Sequence, residues 1–284
     1  MRAIDLHTHT LYSDGSMTPK ELIDYAISKN LSTLAITDHD SIDGLEEAIE
    51  YAKDKDIELV PGVELATAFE GQDIHIVGLN IDYNAPDFAK YLQDFVDQRE
   101  KRNRKMCQLL TEAGMPIDFD EMSARYEGSV ITRAHFARYM LELGYTTYLK
   151  EAFERYVGDR CPYFVPRSKI SAAEGVELIV KAKGIPVLAH PLLYHMSWDR
   201  IQKLTDTLLP AGLMAVEAIY TTNVGNDERK TREFAKKNGL LISGGSDYHG
   251  EAKPKTDLGT GFGSLYVPEE VWDNLKAAWE ERYK

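Results

Sequence analysis

The chain has 284 residues, with 33 Lys and Arg against 46 Asp and Glu, which gives a formal net charge of −13. A hydrophobic share of 43% is enough for one large α/β domain, with or without an insertion. The acidic balance disfavours long nucleic acid as a partner but not a small phosphorylated ligand. No apolar run approaches the roughly 20 residues that span a bilayer, and the N-terminus lacks a signal-peptide pattern. We therefore expect a cytoplasmic protein with no membrane partner and two unpaired thiols, Cys107 and Cys161.

Seven short apolar segments rich in β-branched residues predict buried strands. They cover residues 3–7, 32–37, 57–65, 73–81, 185–190, 213–220 and 240–247. Helical patterns lie between them at 19–29, 45–55, 171–183, 198–209 and 226–238, the first after a Thr18 cap. Strands that alternate with helices favour a parallel sheet, and seven of them suit a closed barrel. We predict an α/β fold, a distorted (β/α)7 TIM-like barrel.

Between residues 87 and 167 the strand signal disappears and long helical patterns replace it. Gly114 and Gly144 stand where helices of this stretch would end, which favours discrete helices over a linker. The predicted domains are therefore a metal-binding barrel at 1–86 and 168–284 and a helical insertion at 87–167 that caps the substrate.

The first predicted strand ends in Asp5-Leu6-His7-Thr8-His9. Alternate side chains of an extended segment point to the same side, so His7 and His9 share one face, as in a metal-chelating pair. Neutral imidazole suits Zn, Mn or Fe, and barrel enzymes place their sites at the carboxyl ends of strands. A pair of this kind alone is a weak signal.

Similar residues stand at or near the other predicted strand ends: Asp14, His39, Glu64, His75, His190, Asp247 and His249. Taken singly, Asp14 is compatible with a turn residue and His75 with a core histidine. Strand ends of a barrel converge in space, however, so the whole set predicts a metal site with more than one ion.

Closely spaced cations can bind phosphoryl oxygens, generate hydroxide at neutral pH and neutralise the charge that develops in an in-line displacement. Hydrolysis of a phosphate ester therefore fits best, with a metal-bound hydroxide as nucleophile. We expect His249 or Asp247 to help move a proton to the leaving alcohol. Asp5, Asp38 and Asp40 are candidates for carboxylates that orient the imidazoles.

The motifs DLHTHTLYSDG, ITDHD, GVEL, AHP and SDYHG, in this order between residues 5 and 250, resemble the PHP (polymerase and histidinol phosphatase) family. The resemblance implies a distorted seven-stranded barrel with two or three divalent metal ions, Mn, Fe or Zn. It implies one ion on His7, His9, Glu64 and Asp247, a second on Glu64, His75 and His190, and a third on Asp14, His39 and His249. Many members have His where this chain has Asp14, which shifts metal preference towards Mn or Fe and leaves occupancy of the third position open.

Two basic groups in the insertion are candidates for substrate contacts. They are Arg99, Lys101, Arg102, Arg104 and Lys105, and then Thr132, Arg133, His135 and Arg138. Bidentate arginine contacts could clamp a second phosphate, whereas a solvated helix face is the alternative. Arg102, Arg133 and His135 are the predicted substrate-binding residues, the last two because their setting resembles a helix start aimed at the site.

The motif order, with a helical insertion after the fourth strand, resembles stand-alone PHP phosphoesterases that act on small nucleotides. The first-choice reaction is removal of the 3′-phosphate from a 3′,5′-nucleotide bisphosphate. Alternatives are a cyclic phosphodiesterase acting on a ribose cyclic phosphate, a histidinol-phosphate phosphatase and a 5′-3′ exonuclease acting on short oligonucleotides. A metal-bound scaffold without catalysis is a further alternative, which the filled ligand positions disfavour. The oligomeric state stays open.

Overall fold

A computed structural model describes residues 2–158, 161–166 and 170–284. The strands are β1 Ala3–Asp5, β2 Leu31–Ile36, β3 Glu58–Phe69, β4 Gln72–Leu79, β5 Ile185–Leu188, β6 Ala215–Tyr220, β7 Leu241–Gly245 and β8 Val267–Pro268. The α-helices are α1 Pro19–Ser28, α2 Leu45–Ala52, α3 Pro86–Glu112, α4 Phe119–Arg125, α5 Arg133–Glu142, α6 Leu149–Ala152, α7 Ala172–Lys181, α8 Trp198–Leu208, α9 Asp227–Lys237 and α10 Glu269–Tyr283. The chain divides into two compact units, Met1–Ala89 with Lys169–Lys284, and Lys90–Ser168.

The first unit is a nearly closed barrel of seven strands. Its strands neighbour one another in the order β7-β6-β5-β4-β3-β2-β1, with β8 beyond β1. The carboxyl ends of β1 and β7 meet, because Leu6 N donates to Gly244 O at 3.2 Å and Asp247 N donates to His7 O at 2.9 Å. This arrangement confirms the predicted α/β barrel.

The prediction of an all-parallel sheet is wrong for β4, which pairs antiparallel with both β3 and β5. Only Glu70 and Gly71 separate β3 from β4, and both have positive φ angles, 48° and 77°. A two-residue connection of this kind makes a hairpin, whereas a parallel partner needs a crossover of a dozen or more residues. Because β4 runs opposite to its neighbours, His75 lies in the first half of its strand and does not follow the carboxyl end of the strand.

Local signals account for several helix starts. Thr18 and Ser171 each accept a hydrogen bond from the third helical residue, and Glu21 and Glu174 bond back to complete capping boxes. The predicted start of α1 after the Thr18 cap is thus confirmed, and α7 begins one residue after its predicted start.

Strand β8 and helix α10 complete the barrel core, although no sequence signal had been assigned to them. Val267 pairs with Ile4 of β1, and Val271, Trp272 and Leu275 pack into the main apolar cluster. The last strand and helix therefore pack against the first strand of the barrel.

The second unit has its own apolar core, in which Met106, Leu110 and Phe136 are fully buried. Gly114 and Gly144 adopt positive φ angles of 85° and 74° just beyond α3 and α5, as expected for helix ends. Both cysteines are free thiols. None of the described helices is long and apolar enough to cross a membrane.

Candidate metal centre

The barrel places the nine predicted ligand residues together. His7, His9 and Asp14 follow β1, His39 follows β2, Glu64 lies in β3, His75 in β4, His190 follows β5, and Asp247 and His249 follow β7. Their ligand atoms form four overlapping groups, and within each group all atoms lie within 4.8 Å of one another. The groups are His9-Asp14-His39-His249, His7-Glu64-His190, His7-His9-Asp247 and His39-Glu64-His75. Each of the nine residues belongs to at least one group.

Glu64 is the centre of the cluster and is only 1% exposed. Its Oε1 lies 2.8 Å from His75 Nδ1 and 2.9 Å from His190 Nε2. Its Oε2 lies 3.0 Å from His39 Nδ1, 3.3 Å from His9 Nε2 and 3.4 Å from His7 Nε2. The two carboxylate oxygens therefore face two different sets of imidazoles, which is the geometry a bridging ligand needs.

Asp247 and Asp14 complete the cluster on the side of β7. Asp247 Oδ1 lies 3.3 Å from both His9 Nε2 and His249 Nδ1. Asp14 Oδ1 lies 3.2 Å from His249 Nε2 and 3.9 Å from His39 Nε2. His9 belongs to the group of Asp14, His39 and His249 as well as to the group of His7 and Asp247. The groups therefore share more residues than the sequence indicated.

Two buried imidazole nitrogens test whether these residues suit metal ions. His7 Nε2 and His9 Nε2 make no hydrogen bond of acceptable geometry to the described residues, yet carboxylate oxygens surround them. A buried nitrogen that faces carboxylates needs a proton or a cation between them. Mixed imidazole and carboxylate donors suit Zn, Mn or Fe, so the residues fit a cluster of divalent cations.

A residue that the sequence analysis missed, Glu217 of β6, contacts the ring of one histidine and the backbone of another. Its Oε1 lies 2.9 Å from His7 Nδ1, and its Oε2 accepts a 2.7 Å hydrogen bond from the backbone N of His190. Because Nδ1–H of His7 points at Glu217, its Nε2 is turned towards Glu64. A charged residue within the apolar strand sequence AVEAIY was the available signal.

The carboxylates first proposed for this orienting role act differently. Asp5 accepts hydrogen bonds from the backbone N atoms of His7, Ser246 and Gly259 at 3.3, 2.9 and 2.9 Å, so its expected contact with an imidazole is wrong. It fixes the loops after β1 and β7 instead, and burial raises its pKa to about 6.

Asp38 acts through a neighbour. It accepts hydrogen bonds from Thr10 and from Ser13 Oγ, and that hydroxyl lies 3.4 Å from His9 Nδ1. Asp40 accepts a hydrogen bond from the backbone N of Ala66 at 2.9 Å. The loop after β2 is thereby held against the loop after β1 and against β3.

Two further residues hold the outer oxygen of Asp247. Tyr220 donates its hydroxyl to Asp247 Oδ2 at 2.6 Å, and Lys253 Nζ lies 2.6 Å from the same oxygen. Burial acts to raise the pKa of Asp247, but the charges of Lys253 and His249 outweigh it and hold that pKa well below its ordinary value. Oδ1 is thus left to face the histidines.

The charges in the cluster are unevenly distributed. For Glu64, burial acts to raise the pKa, but the charges of His39 and His75 hold it well below its ordinary value. Burial lowers the pKa of His75 to about 4, whereas the carboxylates of Asp247 and Glu64, each 3.3 Å from His9 Nε2, outweigh burial and raise the pKa of His9 to about 9. The carboxylates are therefore anionic at neutral pH and draw positive charge into the barrel.

The predicted substrate residues lie in the second unit. His135 closes the capping box of α5, where its Nδ1 accepts a 2.9 Å hydrogen bond from Thr132 N. Arg133 extends over the ring of Phe164 at 5.2 Å. Arg102 and Arg99 are buried, unlike Lys101, Arg104 and Lys105, so the first basic group is not a uniformly solvated face. Their role in binding substrate stays a prediction.

The model of the PHP domain matches residues 5–157, more than half of the chain. The chain belongs to the PHP family. A 5′-3′ exoribonuclease from Haemophilus influenzae is 38% identical over 245 residues, which are 86% of this chain and 89% of that protein. A 3′,5′-nucleoside bisphosphate phosphatase from Chromobacterium violaceum is 33% identical over 278 residues, 98% of each chain.

A solved structure agrees with this assignment. An amidohydrolase from Chromobacterium violaceum, with bound sulfate and no metal, matches with a TM-score of 0.86 and 34% identity, over 97% of this chain and 96% of that one. The expected family and barrel are confirmed. This PHP protein is a metal-dependent phosphoric ester hydrolase.

Replacing Glu217 with Gln should weaken metal binding by roughly 10- to 100-fold, the usual cost of losing a carboxylate that orients a ligand. The amide keeps the shape of the side chain but offers only one acceptor oxygen to two donors. Affinity is measured by competition with a chromophoric chelator. Glu58→Gln, at an exposed position paired with Lys276, is the control, and equal affinity in both variants would show that Glu217 does not orient the centre.

Loading metal-free protein should release protons at pH 7. With its pKa at about 9, the ring of His9 is protonated at that pH, and a cation can bind it only in the neutral form. Apparent metal affinity should consequently rise as the pH increases from 7 to 9. Titration calorimetry in two buffers with different ionisation enthalpies measures the protons released, and equal heats at a pH-independent affinity would contradict this assignment.

Proposed function

We propose that this PHP enzyme hydrolyses the bond between phosphorus and the 3′-oxygen of a 5′-phosphorylated nucleoside, with a 3′,5′-nucleotide bisphosphate as first-choice substrate. The main support for this proposal is the buried cluster around Glu64, whose oxygens face two sets of imidazoles. A relative 33% identical over 98% of the chain bears the name of that phosphatase. The proposed products are a nucleoside 5′-phosphate and inorganic phosphate.

A second candidate is 5′-3′ exonucleolytic removal of nucleotides from short 5′-phosphorylated oligonucleotides, the activity in the name of a 38% identical relative. The same bond breaks in both reactions, because a nucleoside 5′-phosphate leaves through its 3′-oxygen in each. The substrates differ only in the group on the 3′-oxygen, which is a terminal phosphate in the bisphosphate and a phosphodiester to the next nucleotide in the oligonucleotide. The net charge of −13 favours short substrates over long ones.

We assign the proposed ligands as the resemblance implied, with Glu64 between a group of His7, His9 and Asp247 and a group of His75 and His190. Asp14, His39 and His249 form a third group. Bound Mn, Fe or Zn ions supply a nucleophile at neutral pH and neutralise charge on the phosphoryl group. The number of ions depends on whether the group of Asp14 is filled.

The residues of the cluster have separate proposed tasks. His249 Nδ1 lies 2.9 Å from the backbone O of Asp247, so its Nδ1–H donates there and its Nε2 faces Asp14. We propose that His249 or Asp247 helps to move a proton to the leaving alcohol. The ammonium of Lys253, 2.6 Å from Asp247 Oδ2, supplies positive charge beside Asp247.

Arg102, Arg133 and His135 are the predicted substrate-binding residues. We propose that these residues bind the 5′-phosphate. Arginine offers a planar fork of donors that matches phosphate oxygens, and a helix N-terminus such as that of α5 adds to the attraction.

Metal-reconstituted enzyme should be compared by kcat/KM on four substrates: adenosine 3′,5′-bisphosphate, a 5′-phosphorylated dinucleotide, a ribose cyclic phosphate and histidinol phosphate. We expect one of the first two to be preferred, because both contain the proposed bond. Preference for the cyclic phosphate or histidinol phosphate would overturn the proposed substrate. Failure to hydrolyse any phosphoester with metal fully loaded would overturn the proposed reaction.

Arg133→Ala should lower kcat/KM for adenosine 3′,5′-bisphosphate by about 10-fold or more, as expected for loss of a charge-assisted contact. Its effect on adenosine 3′-phosphate, which has no second phosphate, should be small. Arg125→Ala removes the same charge from an exposed position of the second unit and serves as the control. Equal loss on both substrates would contradict a role in binding the 5′-phosphate.

A further inference from the structure

Beside the metal centre lies a cavity that shares Asp247 and Lys253 with it. It has a volume of about 390 Å3 and lies at the ends of β5, β6 and β7. Leu193, Tyr220, Asp247, Lys253 and Phe262 are among the residues that line it. All of these belong to the barrel unit.

Asp247 forms the wall shared by the cavity and the metal cluster. Its Oδ1 faces His9 and His249, whereas its Oδ2 takes the bonds from Tyr220 and Lys253, which line the cavity. The ring of Tyr220 also lies 5.6 Å from that of His190, another member of the cluster. A substrate held at the metal centre therefore has this cavity directly at its side.

The lining of the cavity suits a flat, weakly polar group attached to an anion. Phe262 is 59% exposed and Leu193 is 40% exposed, so both carry apolar surface that the described fold leaves uncovered. Gly261 and Gly263 flank Phe262 with positive φ angles of 56° and 102°, which present its ring on a tight loop. Lys253 and Lys255 add positive charge at the same cavity of an otherwise acidic protein.

We propose that this cavity binds the nucleobase of the substrate, with Phe262 as the stacking platform and Leu193 as a further apolar contact. The proposal rests on the proposed function, since it assumes a nucleotide substrate. Aromatic rings stack on any base, because every base has a π face. One polar side chain of the lining is already engaged, since Thr221 Oγ1 donates to Ser246 O at 2.6 Å. Because stacking does not depend on the identity of the base, we expect purine and pyrimidine substrates to be accepted alike.

The test compares adenosine 3′,5′-bisphosphate with 1,2-dideoxyribose 3,5-bisphosphate, which has both phosphates but no base. Phe262→Ala should lower kcat/KM for the nucleotide by about 10-fold or more, the usual loss when a stacking ring is removed. It should leave the abasic compound nearly unchanged, and Phe262→Trp should retain activity on both. Tyr266→Ala is the matched control, because Tyr266 is a nearby aromatic residue that is 50% exposed. An equal loss on both compounds, or no loss, would overturn the proposal.

Equilibrium binding of adenosine 5′-monophosphate and of ribose 5-phosphate separates this proposal from the proposed reaction. Tighter binding of the mononucleotide to the wild-type enzyme, lost in Phe262→Ala, supports the base site even where the bisphosphate is not hydrolysed. Hydrolysis of the bisphosphate with no effect of Phe262→Ala on either measurement overturns the base site and leaves the proposed reaction standing. Equal binding of both compounds to wild type and variant, without hydrolysis of the bisphosphate, overturns both.

Discussion

A single buried carboxylate, Glu64, organises the described barrel. Five imidazole nitrogens from the loops and strands around it lie between 2.8 and 3.4 Å from its two oxygens. A charge in a protein interior is costly unless it is paired and hydrogen-bonded. The residues around Glu64 satisfy that demand only when protons or cations lie between the carboxylates and the rings, so the fold and its metal dependence have the same origin.

The backbone around the cluster is shaped to serve it. His190 and Asp247 adopt positive φ angles of 28° and 56°, which residues other than glycine rarely adopt. Such strain is kept where the surrounding structure fixes it, and here Glu217 holds the backbone N of His190 while Asp247 N donates to His7 O. Gly245 packs closely against the segment after β1, because a Cβ at this position would lie only 2.5 Å from the Cβ of His7.

Seven of the nine clustered residues follow strands, and strand ends can be located in the sequence from hydrophobic runs. Glu64 and His75 lie within β3 and β4, and their motif and chemistry indicated them instead. Glu217 was missed because a single charged residue in the middle of a buried strand has no motif around it. Tyr220 and Lys253 were missed because their contacts with Asp247 depend on the path of the chain after β7, which no motif specifies. The antiparallel direction of β4 had a signal in Glu70-Gly71, because two residues are too few for a crossover to a parallel strand.

The same bond occurs in a nucleotide bisphosphate and in an oligonucleotide, so the metal centre alone does not select between these two substrates.

The centre itself can be tested most directly by anomalous diffraction from crystals of the enzyme loaded with Mn. The account predicts strong anomalous peaks on both sides of the Glu64 carboxylate, one next to His7, His9 and Asp247 and the other next to His75 and His190. Metal ions bound elsewhere, or none at Glu64 under saturating Mn, would contradict it.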